Sequence, residues 1–328
     1  MDNSATWLIP DKSIALPFAL VDDGYDVWMT NSRGNVNSHE HMDPKNFDVL
    51  VPSSDFFKFS FGEMAKYDVP SNLDYVLDHS NYDKAFYVGH SQGTTQFFAA
   101  ADVIDGLENK IAGFIGLAPV MYVGNVVSPF IWLLAKSGVD EFLLWIKMYN
   151  FLILPNYLNP AFRAFAIHFR TFLWRMLGLV MGIDEEIRTD LSRMPVMTNH
   201  EPGGTSVQNM VHWKQNINSG GFNMMDWGKE ENMKRYGQAT APSYNTTHIA
   251  ETFSKFPSFI IAGENDALVA PKDLLKLESI LLPTGAEFRV LADYAHADYI
   301  WGNSAKELVF DPLREFIHSH TDALKRSN

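Results

Sequence analysis

An α/β fold with a mostly parallel sheet and one helical insertion is what this sequence predicts, and three observations carry the prediction. A Gly-x-Ser-x-Gly element, Gly89-His90-Ser91-Gln92-Gly93, lies between a strand-like run and a helix-like run of small residues. Strand, helix and strand then follow in order, the sequence that builds a parallel sheet. Beyond about residue 121 large apolar residues recur at helical spacing, and strand character resumes only near residue 257.

The elements read as follows. Tyr25 to Thr30 alternates and runs into the turn-prone Asn31-Ser32-Arg33-Gly34-Asn35, a strand entering a loop. Lys84 to Val88 is a second strand, broken at Gly89. Thr94 to Asp102 suits a helix packed on a sheet, and Ile111 to Val120 a fully buried strand. In the insertion, Phe162, Phe165, Phe169, Phe172, Leu173, Met176 and Leu177 form one helical face, with Arg163, Arg170 and Arg175 off it. A polar Gly/Asn-rich stretch from about Met197 to Thr247 follows. The sheet resumes at Pro257 to Gly263, Phe288 to Leu291 is a last short strand, and Lys306 to Ile317 is a closing helix with a fraying tail.

Composition narrows the function. A chain of 328 residues is two domains' worth, or one α/β core with an insertion. With 46% hydrophobic and 20% charged residues it is neither disordered nor fibrous. A net charge of −13, with no basic block interleaved with aromatics, argues against nucleic acid as a partner. The absence of cysteine removes disulfides, thiolate zinc sites and thiol nucleophiles. Met1-Asp2-Asn3-Ser4 carries acid where a signal peptide needs a basic start, so the chain as given reads without a secretion address. Ile111 to Ala135 has no charge, but Pro119, Asn125 and Pro129 suit a buried strand leaving into a loop and helix better than a transmembrane span.

The chemistry centres on Ser91. A nucleophile elbow needs glycine on both sides, because the serine occupies a strained turn where a neighbouring Cβ would collide with backbone. The same turn aims the Gln92 backbone N–H at a developing oxyanion. A serine hydroxyl also needs a base, and the base an orienting carboxylate. Of the histidines after the resumed sheet, His318 and His320 lie in the fraying tail, whereas His296 lies in a loop leaving the last strand. His90 adjoins the serine but reads as a packing residue, since adjacent side chains diverge at a sharp turn. For the acid, Gly263-Glu264-Asn265-Asp266 offers two carboxylates; Asp266 is preferred over Glu264 because the chain has turned by then and the shorter side chain is better fixed. Asp293 and Asp298 compete, with loop capping as their alternative role.

Five ordered motifs make the chain resemble the acid lipases of the α/β-hydrolase superfamily, the gastric and lysosomal acid lipase family. They are Gly24-Tyr25-Asp26-Val27-Trp28 with Asn31 to Asn35, Phe61 to Asp68, Gly89 to Thr95, Gly204 to Met210, and Asp293 to Trp301. The resemblance implies an α/β-hydrolase fold with a discontinuous core at 1–120 and 256–328 and a cap or lid at 121–255. It implies Ser91 as nucleophile, Asp266 as acid and His296 as base, the same three that the chemistry selects. In the family a His-Gly-Leu-like loop ahead of the Ser4-to-Trp7 element donates a second oxyanion N–H. This chain begins after it, so a truncated gene model or isoform is expected, with the first strands missing and a gap at the centre of the sheet.

The function expected is a serine ester hydrolase, a lipase acting on triacylglycerol or sterol esters. The alternatives are a hydrolase of other acyl substrates and a truncated, impaired or non-catalytic relative. A lipid ester is the expected partner, with transient contact between the cap and a lipid interface. The resemblance implies a lysosomal or secreted protein, and gives the one sequon, Asn245-Thr246-Thr247, a meaning. His39-Glu40-His41 with Asp43 lacks metalloprotease spacing and reads as a solvated loop, and no phosphate-binding glycine loop is present, so neither metal nor cofactor is expected.

Overall fold

The computed structural model describes residues 2–39, 56–152, 159–182 and 189–324. The chain enters through α1 (Leu16–Asp22), then α2 (Phe61–Glu63), a π-helical turn and α3 (Val69–His79). The sheet begins with β1 (Ala85–His90), crosses by α4 (Gln92–Val103), and returns as β2 (Ile111–Leu117). Every residue of β2 is buried, as its unbroken apolar run requires.

Between β2 and the next sheet strand lie α5 (Pro129–Lys136), α6 (Val139–Trp145), β3 (Asn150–Phe151), α7 (Asn159–His168), α8 (Arg170–Met181) and α9 (Met194–His200). They are followed by β4 (Thr205–Ser206), α10 (Val207–Ser219), α11 (Lys229–Tyr236) and α12 (Thr246–Phe253). The core then closes with β5 (Ser258–Gly263), α13 (Pro271–Leu281), β6 (Glu287–Leu291), α14 (Asp298–Trp301) and α15 (Asp311–Ser319).

The main sheet has the order β1-β2-β5-β6, all parallel, while β3 and β4 form a small antiparallel pair. Alternation along the strands builds two cores. Phe114 and Ile260 point to one face with Phe97, Phe98 and Phe253, and Ile115, Leu117 and Ile261 to the other with Phe310 and Leu313. Burial on both faces makes this a three-layer α/β structure.

Several expectations change. Tyr25–Thr30 forms no strand and pairs with none among the described residues; strand propensity is local, whereas a strand needs a neighbour. It faces β1 across a cavity of about 380 Å³ lined by Val27, Met29, Leu20, Leu73, Phe86 and Val88. Gly89 does not break β1, which continues through it to His90. Ile111 to Ala135 resolves into β2, a loop and α5, and no described helix is long and apolar enough to cross a membrane.

The apolar face of the insertion divides at Phe169 (φ −109°, ψ 28°) into α7 and α8. Phe165, Phe169, Phe172, Met176 and Leu177 are exposed, whereas Trp174 is buried in contact with Trp301; the Phe162 side chain lies outside the described residues. Helical spacing shows that apolar residues share a side but not what covers that side. The polar stretch at 197–247 holds the 13-residue α10, whose buried positions are Val207, Asn209, His212 and Asn216. Three of these are polar, which erased the apolar periodicity.

Candidate active site

Ser91 stands where β1 passes into α4, with φ 52° and ψ −123°. A side-chain-bearing residue holds such angles only where its surroundings over-determine them. Here the Ser91 N–H donates to the Leu117 carbonyl (3.0 Å), and the Ser91 carbonyl accepts from the Thr94 N–H (2.9 Å) and hydroxyl (2.6 Å). The flanking glycines differ. A Cβ on Gly89 would lie 3.0 Å from Gly93 C and Thr94 N, but one on Gly93 would meet nothing within 4 Å. The steric need expected on both sides therefore exists only at Gly89.

His296 follows β6 and is buried, with Nε2 2.7 Å from Ser91 Oγ. Its Nδ1 lies 2.8 Å from Asp266 Oδ2 and 3.0 Å from Oδ1. Asp266 is buried in the turn after β5, and its Oδ1 also accepts the N–H groups of Leu268 (2.9 Å) and Val269 (3.1 Å). Glu264 is exposed. Asp298 Oδ2 accepts the Ala295 N–H at 2.8 Å and so caps the turn, while Asp293 is exposed at φ 60°. His320 Nδ1 lies 2.8 Å from the Phe316 carbonyl, and His318 is exposed at the end of α15. Of the carboxylates and histidines weighed from sequence, the structure brings Asp266 and His296 to Ser91.

His90 does more than pack. Its Nε2 lies 2.9 Å from the His296 carbonyl, and since a carbonyl only accepts, that nitrogen carries the hydrogen. Burial, then the charge of His296, pushes the His90 pKa down to about 4, so the ring is neutral near pH 7. The insertion also reaches the site. The Met181 carbonyl at the end of α8 accepts the N–H groups of His296 (3.1 Å) and Ala267 (3.3 Å). Gly182, at φ 125°, makes that approach feasible: a Cβ there would fall 2.3 Å from the Asn265 carbonyl oxygen.

Gln92 is the first residue of α4, where an N–H has no intrahelical acceptor. Its Oε1 accepts from Asn209 Nδ2 (2.7 Å) and Trp213 Nε1 (2.8 Å), both on α10. Sequence reasoning missed these two partners. The only signal was that Asn209 lay in the Gly204-to-Met210 motif, which carries no chemistry of its own. Beside Ser91 and Gln92 opens an apolar cavity of about 180 Å³, lined by Val120, Ile131, Leu134, Leu143, Met210 and Trp213 among others. Among the described residues no group of three His, Asp or Glu side chains could hold a metal. Of the His39-to-Asp43 motif only His39 is described; Glu40, His41 and Asp43 lie outside the described residues.

A serine, an imidazole and a carboxylate in hydrogen-bonded series at the carboxyl ends of parallel strands define a class before any comparison. The sequence profile of the alpha/beta hydrolase fold matches residues 9–303, and the chain belongs to that superfamily. A carboxylesterase structure from Nitrososphaera gargenis shares the fold, with a TM-score of 0.51 at 14% identity over 98% of this chain and 88% of its own.

Within the superfamily the chain belongs to the acid lipase family and is a carboxylic ester hydrolase. It is 35% identical to human lipase member K over 95% of this chain and 75% of that protein. It is 34% identical to bovine gastric triacylglycerol lipase (95% and 76%) and 33% identical to human lysosomal acid lipase/cholesteryl ester hydrolase (97% and 77%).

Proposed function

We propose that the protein is a lipase that cleaves long-chain acyl esters of triacylglycerol or sterols through Ser91, His296 and Asp266, beneath a cap formed by residues 121–255. Ser91 Oγ attacks the acyl carbonyl carbon while His296 Nε2 takes the hydroxyl proton, and Asp266 accepts the Nδ1–H and keeps Nε2 free as a base. The Gln92 N–H donates to the oxyanion. As the tetrahedral adduct collapses, His296 returns the proton to the leaving oxygen, and the alcohol departs. Water then attacks the acyl-enzyme, giving its proton to His296; the fatty acid leaves and Ser91 regains its hydrogen.

The observation that carries this reading is the 2.7 Å contact between His296 Nε2 and Ser91 Oγ at the mouth of an apolar cavity. An acyl chain needs such an apolar trough. The exposed Phe130, Trp132, Phe142, Trp145, Phe169 and Phe172, all between residues 121 and 255, support contact with a lipid interface. By kinship its compartment is lysosomal or secreted. The test is hydrolysis of p-nitrophenyl esters from acetyl to palmitoyl, with and without mixed micelles. Activity should favour long chains, rise at an interface and vanish in Ser91→Ala; activity that survives Ser91→Ala, or a preference for acetyl esters, would refute the reading.

A further inference from the structure

The side chain of Gln92 is held more firmly than its own task requires. If its backbone N–H alone served the oxyanion, any residue would suffice at this position. Instead its Oε1 receives two donors, Asn209 Nδ2 at 2.7 Å and Trp213 Nε1 at 2.8 Å, and its Nε2 lies 3.3 Å from Met64 Sδ. Asn209 and Trp213 are four residues apart on α10, one turn along one face.

Neither donor floats. Asn209 is 1% exposed, and its Oδ1 accepts the Phe61 N–H at 2.8 Å while its own N–H donates to Ser206 Oγ at 2.9 Å. Ser206 Oγ in turn donates to the Phe59 carbonyl. The Trp213 ring packs on Phe61 with centroids 4.9 Å apart and also lines the apolar cavity beside Ser91. Residues that α2 and β4 hold in place thus grip the side chain next to the serine.

We infer that Asn209 and Trp213 are positioning residues: by clamping the Gln92 amide they fix the direction of its backbone N–H, and so couple the seating of α10 to oxyanion stabilisation. This rests on the proposed roles of Ser91 and Gln92. A long side chain with a free amide would let the first turn of α4 sample other orientations, and an oxyanion donor stabilises the transition state only when it is aimed beforehand. Trp213 touches both the clamp and the cavity, so the ring that grips Gln92 also borders the apolar space beside Ser91.

The test uses Trp213→Phe, which keeps an aromatic ring and removes the donor. Losing an oxyanion donor outright costs on the order of 10²–10³ in rate, and misaiming one costs less than that. We expect kcat for a long-chain ester to fall about tenfold with KM within twofold, and the rate of inactivation by a fluorophosphonate, in which Ser91 Oγ displaces fluoride at phosphorus, to fall with it. If Trp213→Phe does not give a cooperative melt, Gln92→Ala keeps the backbone N–H and removes the gripped acceptor, with the same expected loss. A kcat within threefold of the parent, or a loss confined to KM, overturns the clamp. A parent protein that the fluorophosphonate does not label overturns the proposed role of Ser91 instead.

Discussion

Replacing Asp266 by asparagine tests the site most directly, because shape is conserved and only hydrogen-bond polarity changes. Asp266 Oδ1 accepts two backbone N–H groups, from Leu268 and Val269, and Oδ2 accepts the His296 Nδ1–H. In the variant one orientation keeps the oxygen on the two backbone donors and turns the amide NH₂ toward His296. The imidazole must then accept at Nδ1, which places its hydrogen on Nε2 and leaves no base for Ser91. The other orientation restores the base but sets NH₂ against both backbone donors, leaving the buried Val269 N–H and the part-buried Leu268 N–H unpaired at about 1–3 kcal/mol each.

Reaching the productive form therefore costs about 2–6 kcal/mol, which at about 1.36 kcal/mol per decade is roughly 30-fold to 3 × 10⁴-fold in kcat. The assay is steady-state hydrolysis of a soluble p-nitrophenyl ester, with thermal melting to show that the variant folds. A folded Asp266→Asn protein retaining more than a tenth of the parent kcat would refute both the tautomer argument and the role given to Asp266.

Two further outcomes follow from the same geometry. Gly182→Ala must carry its Cβ at φ 125° into the Asn265 carbonyl oxygen, so it should lose about 1–3 kcal/mol in urea unfolding and also lower kcat, because α8 steadies the loops of Asp266 and His296. His212 is fully buried between Ser60 Oγ and the Asn223 carbonyl, and burial pushes its pKa down from 6.5 to about 4. The folded protein then binds fewer protons there than the unfolded chain, so this group's stabilisation is complete above pH 6.5 and disappears as pH falls to 4, about 3 kcal/mol in all. Urea unfolding across that window should show a shallower pH dependence in His212→Gln than in the parent.

Local features were legible from the order of residues. Ser91 was legible because a serine between glycines, with apolar strand before and small-residue helix after, describes a single turn. β2 and β5 were legible because strands buried on both faces are continuously apolar, and His296 and Asp266 because each lies just beyond a strand end. Turn geometry and side-chain length favour Asp266 over Glu264 as the candidate acid; the structure buries Asp266 beside His296 and leaves Glu264 exposed.

Features that depend on partners distant in the chain emerge only once it is folded. His296 meets Ser91 across 205 positions, and Asn209 meets Gln92 across 117. Nothing in the composition of α10 announces a clamp, because its buried face is largely polar, and those polar groups are stable inside only when each finds its partner. Tyr25–Thr30 has the residues of a strand but pairs with none among the described residues, and the exposed aromatics of α7 and α8 have the spacing of a core. Periodicity records which side chains share a surface; only the assembled chain shows what meets that surface.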